Sequence, residues 1–69
     1  MNQLKHYRQR AGLTQPQLAE RVDISTRTLQ DYEQERKPLE KAAAITVLRM
    51  ARTLDCTVAD LIDPEEATT

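Results

Sequence analysis

Thr26, Arg27, Gln30, Asp31 and Gln34 fall at helical spacing on the side of one short segment opposite Leu29 and Tyr32. The Arg27 fork only donates hydrogen bonds, an ionised Asp31 only accepts them, and the two glutamines do both. Such a face suits recognition and does not suit bond-making. The bland alternative is an i,i+4 pair between Arg27 and Asp31 that points at solvent, with Arg in the less favourable N-terminal place. No Ser-His-Asp set, metal-ligand cluster or glycine-rich phosphate loop accompanies these residues. His6 is a single imidazole with no second ligand in view, and reads as a surface residue. Cys56 is the single cysteine, which excludes an internal disulfide and a cysteine-based zinc site. Neither an enzyme nor a bound cofactor is expected, and no small-molecule ligand is evident.

The elements that must hold this face announce themselves by a start signal written three times. An N-cap residue with a polar N3 partner, flanked by apolar N′ and N4, closes a first helical turn. In Leu13-Thr14-Gln15-Pro16-Gln17-Leu18, Thr14 caps, Gln17 answers, and Leu13 meets Leu18. Pro16 lies in the first turn, where a missing N–H costs little. Ile24-Ser25-Thr26-Arg27-Thr28-Leu29 repeats the frame with Thr28 as the weaker partner. Cys56-Thr57-Val58-Ala59-Asp60-Leu61 repeats it again, with Asp60 near the positive end of the helix dipole.

These signals predict helix starts near residues 15, 26 and 58. A first helix is predicted over 2–11, with Leu4, Tyr7 and Ala11 on one face and Gly12 as the left-handed stop. A fourth is predicted over 39–54, after Pro38, with Ala44, Val47, Met50, Ala51 and Leu54 recurring at helical spacing. The second helix ends near Val22 and the third begins after Ser25. So short a turn makes two brief helices cross steeply, as in a helix-turn-helix or in an unspecialised αα-corner. The expected fold class is all-α, a compact bundle of five short helices.

Composition agrees. Sixty-nine residues make one domain at most, and so short a chain buries only about 60% of its unfolded surface. The sequence has one glycine, three prolines, two tyrosines and neither Trp nor Phe, so Leu, Val, Ile, Ala and Met must fill the core. No alternating run is long enough to seed a sheet. No apolar run approaches a membrane span and no signal peptide is visible, so a cytoplasmic place is expected and no membrane partner. Net charge is −1, but it is unevenly spread. Residues 1–41 carry eight basic against six acidic side chains, and residues 42–69 carry two against five. A weakly basic front and an acidic tail suit one nucleic-acid face, although ordinary solubilising charge gives the same balance. The folded domain is expected over 1–63 and a polar, disordered tail over 64–69.

The order Gly12-Leu13-Thr14-Gln15, Leu18-Ala19-Glu20, Ile24-Ser25, Leu29, Tyr32-Glu33 and Ala51-Arg52-Thr53-Leu54-Asp55-Cys56-Thr57 resembles the Cro/repressor-type helix-turn-helix family over residues 4–62. The resemblance implies a DNA-binding transcriptional regulator whose recognition helix, over about 26–34, enters the major groove. It implies that Thr26, Arg27, Gln30 and Asp31 meet base edges, with Gln34 on the same face. Arg27 would grip guanine O6 and N7, Gln30 adenine, and Asp31 cytosine N4. Gln15, at a helix start that favours an anion, would hold backbone phosphate and brace the recognition helix. Arg36 and Lys37 would hold phosphate as well. Arg8 and Glu33 match a structural ion pair of the family.

Three positions depart from the family pattern: Asp23, Glu35 and Asp55 stand where glycine is usual. Asp tolerates the left-handed region. Glu does so less easily, so the third helix is expected to run on or end differently. The segment 36–43 is long for the family and is expected to extend the fourth helix.

A homodimer is expected on a near-palindromic site, through a second apolar stripe, Ile45 and Leu48, with Ile62. The equal alternative is that both stripes are core. Family members also act as antitoxins or cap another regulator. A protein-interaction module with little DNA binding is therefore the rival reading.

Overall fold

The computed structural model describes residues 2–62, so the expected tail over 64–69 lies outside the described residues. Five α-helices follow one another: α1 (Leu4–Arg10), α2 (Gln15–Arg21), α3 (Thr26–Glu33), α4 (Ala44–Thr53) and α5 (Val58–Ile62). A single 3₁₀ turn, Leu39–Lys41, precedes α4, and no strand occurs among the described residues.

The start signals form as the sequence predicts. The Gln17 N–H donates to Thr14 Oγ1 at 3.2 Å, and the Thr14 N–H donates to Gln17 Oε1 at 2.9 Å. The Thr28 N–H donates to Ser25 Oγ at 3.0 Å. Thr57 and Asp60 exchange backbone-to-side-chain bonds of 3.0 Å in both directions. Each cap satisfies amide groups that a helix start otherwise leaves without a partner.

The helix ends share one device. After each of α1 to α4 a residue turns left-handed: Gly12 (φ 73°), Asp23 (φ 61°), Glu35 (φ 63°) and Asp55 (φ 56°). The next amide then reaches back five residues. Leu13 N–H donates to Arg8 O, Ile24 to Ala19 O, Arg36 to Asp31 O and Cys56 to Ala51 O, at 3.2, 3.0, 2.8 and 2.9 Å. This paired closure answers the carbonyls at a helix end. Glu35 thus ends α3 in the way a glycine would. The expectation that this helix runs on or ends differently is corrected. The backbone bond from Arg36 fixes the turn, and Glu35 adopts a conformation that costs an L-residue about 1–2 kcal/mol.

Leu4, Leu18, Val22, Leu29, Met50, Leu54 and Leu61 are fully buried or nearly so, with Ala19, Val47 and Ala51 beside them. Ala19 lets α2 and α3 approach closely. Tyr7, Leu13, Ile24, Tyr32 and Ile62 pack against this core and are half-buried. Ala11 and Ala44, expected on core faces, are exposed.

The fourth helix is shorter than the sequence suggests. It does not begin at 39, because Ala42 and Ala43 are extended (ψ 161° and 138°) and separate the 3₁₀ turn from α4. A continuous helix would carry Leu39 about 12 Å along the axis from Val47. The break instead lets Leu39 fold back, and it is fully buried in the core.

Candidate nucleic-acid interface

The polar face of α3 is held from behind by a chain of hydrogen bonds. Arg8, on α1, donates from Nε to Glu33 Oε2 at 2.6 Å and from Nη2 to Oε1 at 3.3 Å. It also donates from Nη1 to the Leu13 carbonyl at 2.9 Å. The ion pair is nearly dry, with side chains 10% and 3% exposed. Breaking one partner of so buried a pair would leave an uncompensated charge. Gln15, at the first position of α2, donates from Nε2 to Glu33 Oε1 at 2.9 Å. Gln30 donates from Nε2 to Gln15 Oε1 at 3.2 Å. So α1, α2 and α3 meet in one network, Arg8–Glu33–Gln15–Gln30, which fixes the rotation of α3 about its axis.

The sequence-predicted residues do not share one environment. Arg27 extends from the first turn of α3 with its side chain 76% exposed. Thr26 and Gln30 are half-buried, and Gln34, Arg36 and Lys37 are exposed. Asp31 is largely covered. Its side chain is 14% exposed, and Oδ1 lies 3.5 Å from Arg27 Nε and 3.6 Å from Arg36 Nη1. Gln34 is the C-cap residue, so α3 closes one position before the predicted end.

Two bracing contacts escaped the sequence. The Asn2 side-chain amide donates to the Tyr32 carbonyl at 3.0 Å, and the Asn2 N–H donates to Glu35 Oε2 at 2.8 Å. An Asn just before a helix is a capping signal, and Asn2 Oδ1 does accept from the Leu4 N–H at 3.0 Å. Nothing in the sequence places the same residue against the far end of α3. Arg10 likewise donates to the carbonyls of Leu54 and Asp55 at 3.2 and 3.1 Å, closing α4 from outside.

Among the described residues no group of three or more His, Cys, Asp or Glu could hold a metal ion, and no helix is long and apolar enough to cross a membrane. Burial pushes the Cys56 thiol up and Asp60 adds to this, while Arg10 opposes. A raised thiol stays protonated at neutral pH and is a weak nucleophile.

The candidate interface therefore consists of a short braced helix behind a four-residue turn, with an arginine at its exposed start and more basic residues just past its end. No curated protein matches the chain closely. A family model described as a helix-turn-helix domain matches residues 2–63, nearly the whole chain, and so the protein belongs to the helix-turn-helix family of DNA-binding domains.

Proposed function

We propose that this chain is a sequence-specific regulator of transcription of the Cro/repressor type, acting in the cytoplasm, with α3 in the major groove of double-stranded DNA. The observation that carries this reading is the two-sidedness of α3. Its inner side is fixed by Leu29 and by the Arg8–Glu33–Gln15–Gln30 network, while its outer side offers Thr26, Arg27, Gln30 and Gln34. A rigid support is what base readout requires, because misplaced donors lose their geometry.

Arg27 is the base-reading residue of this proposal. Gln15 opens α2; one hydrogen of its Nε2 is spent on Glu33, the other is the phosphate donor of this proposal, and its Oε1 steadies Gln30. Arg36 and Lys37 take phosphates. Phosphate contacts position a protein and base contacts discriminate. After selection of bound sequences from random DNA, Arg27→Ala is expected to lose about 1–3 kcal/mol on the best site and to relax one base pair. Gln15→Ala is expected to weaken matched and mismatched sites alike. Unchanged affinity and preference in Arg27→Ala would defeat the reading and promote the protein-interaction alternative.

The same proposal includes a homodimer. Ile45 is 52% exposed on α4, one turn before Leu48, and Leu48 lines an apolar groove together with Val47, Val58 and Ile62. Isolated modules touch few bases, and pairing across a two-fold site doubles the contacts. Sedimentation with and without DNA tests this. A monomer under both conditions at high concentration contradicts it.

A further inference from the structure

Asp31 is an odd residue for a surface meant to meet a polyanion. Its Oδ1 is buried and accepts no hydrogen bond, and it faces two guanidinium groups at 3.5 and 3.6 Å. A buried carboxylate oxygen without a hydrogen bond calls for an explanation. One arginine, Arg27, comes from one turn earlier in α3. The other, Arg36, is delivered by the left-handed turn at Glu35. The Asp31 backbone takes part as well, since its carbonyl accepts from the N–H groups of Arg36 and Lys37 at 2.8 and 3.2 Å.

The other helix ends show what is unusual here. In closures of this kind the residue after the left-handed one commonly makes an apolar contact with the last turns of its helix. Leu13, Ile24 and Cys56 occupy the place after α1, α2 and α4, all half-buried. After α3 the place belongs to Arg36, which pairs with Asp31. An ion pair stands where packing stands elsewhere, and a second arginine shares it.

We infer that Asp31 is a positioning residue. It reads no base itself, and holds Arg27 and Arg36 in a fixed spread, so that one addresses the groove and the other the backbone. This rests on the proposal that α3 reads DNA. Free arginines would satisfy phosphates of any sequence, and each added phosphate contact strengthens binding regardless of sequence and steepens its salt dependence. Tethering both to one carboxylate confines Arg27 to the groove and Arg36 to the one phosphate it meets on the matched site, and withholds them from stray phosphates of an unrelated duplex. Asp31 therefore sharpens specificity by weakening indiscriminate binding.

The test compares the full chain with Asp31→Asn on the selected duplex, its single-base variants and an unrelated duplex, across a salt series. Asp31→Asn is expected to bind the unrelated duplex about five- to tenfold more tightly, with a salt slope steeper by about one. Its affinity for the selected duplex should change much less, so discrimination falls at every position. In an Arg27→Ala/Arg36→Ala background the same change should do nothing. Asp31→Ser should reproduce the pattern, which guards against a folding defect peculiar to the Asn variant. Loss of preference at one base pair only, with unrelated DNA bound as before, would make Asp31 a base reader and overturn the inference. So would an effect that survives removal of both arginines, or no effect at all while the parent binds its selected duplex. A parent chain that enriches no sequence would instead overturn the DNA-reading proposal, and this inference with it.

Discussion

α2 is capped at Val22, the chain turns left-handed at Asp23, and Ile24 swings back under the helix. α3 is capped at Gln34, the chain turns left-handed at Glu35, and Arg36 swings back in the same way. The backbone bonds match as far as the returning residue, yet the returning side chains go to different environments. Ile24 is half-buried against the core, whereas the Arg36 side chain is 59% exposed and paired with Asp31. The first turn packs two helices together. The second offers a cation at the end of the candidate reading helix. One closure thus serves stability in one place and, on the proposed reading, recognition in the other, and the residue after the turn decides which.

The strongest way to break this comparison is to shorten both returning side chains. Ile24→Ala removes half-buried methylenes and should cost about 1–2 kcal/mol in urea unfolding. Arg36→Ala removes an exposed ion-pair partner and should stay within about 0.5 kcal/mol of the parent. DNA binding should reverse the order. Arg36→Ala is expected to lower the salt slope by about one, while folded Ile24→Ala keeps it. Equal losses of stability in the two variants would make the second turn as structural as the first.

Much of this contrast was legible in the residues. The caps at Thr14, Ser25 and Thr57, the stop at Gly12 and the core role of Leu29 follow from local chemistry, because each depends on neighbours within one helical turn. The ends of α2 and α4 at Asp23 and Asp55 were legible too, since Asp enters the left-handed region at modest cost. Legibility failed where distant segments decide. Leu39 leaves a predicted helix because the core has room for it, and no periodicity reports that. The Gln15 side chain reads as a phosphate ligand by position, yet it spans to Glu33 and Gln30 from eighteen and fifteen residues away. The covered state of Asp31 depends on where Arg36 returns, which only the turn at Glu35 determines. The helical face was readable, and its internal order was not.

The smallest expected effect sharpens the comparison at the left-handed residues themselves. Asp23 and Glu35 share a φ near 60°, but Asp suits it better. Replacing either by Gly relieves the clash between Cβ and the backbone, so Glu35 should gain the more. That gain is opposed by the loss of its exposed side-chain interactions, the bond from the Asn2 N–H among them, worth together about 0.5–1 kcal/mol. Against a relief of about 1–2 kcal/mol, Glu35→Gly should come out more stable by about 0.5–1 kcal/mol, a rise of roughly 2–8 °C in Tm for a domain of this size. Asp23→Gly should change stability by only a few tenths of a kcal/mol. Glu35→Asn, which keeps a side chain but enters the left-handed region more readily, should fall between parent and Gly. A Glu35→Gly protein that melts below the parent would show that these side-chain interactions outweigh the backbone strain. The turn before Arg36 would then be held by a side chain, and its likeness to the turn at Asp23 would be one of shape only.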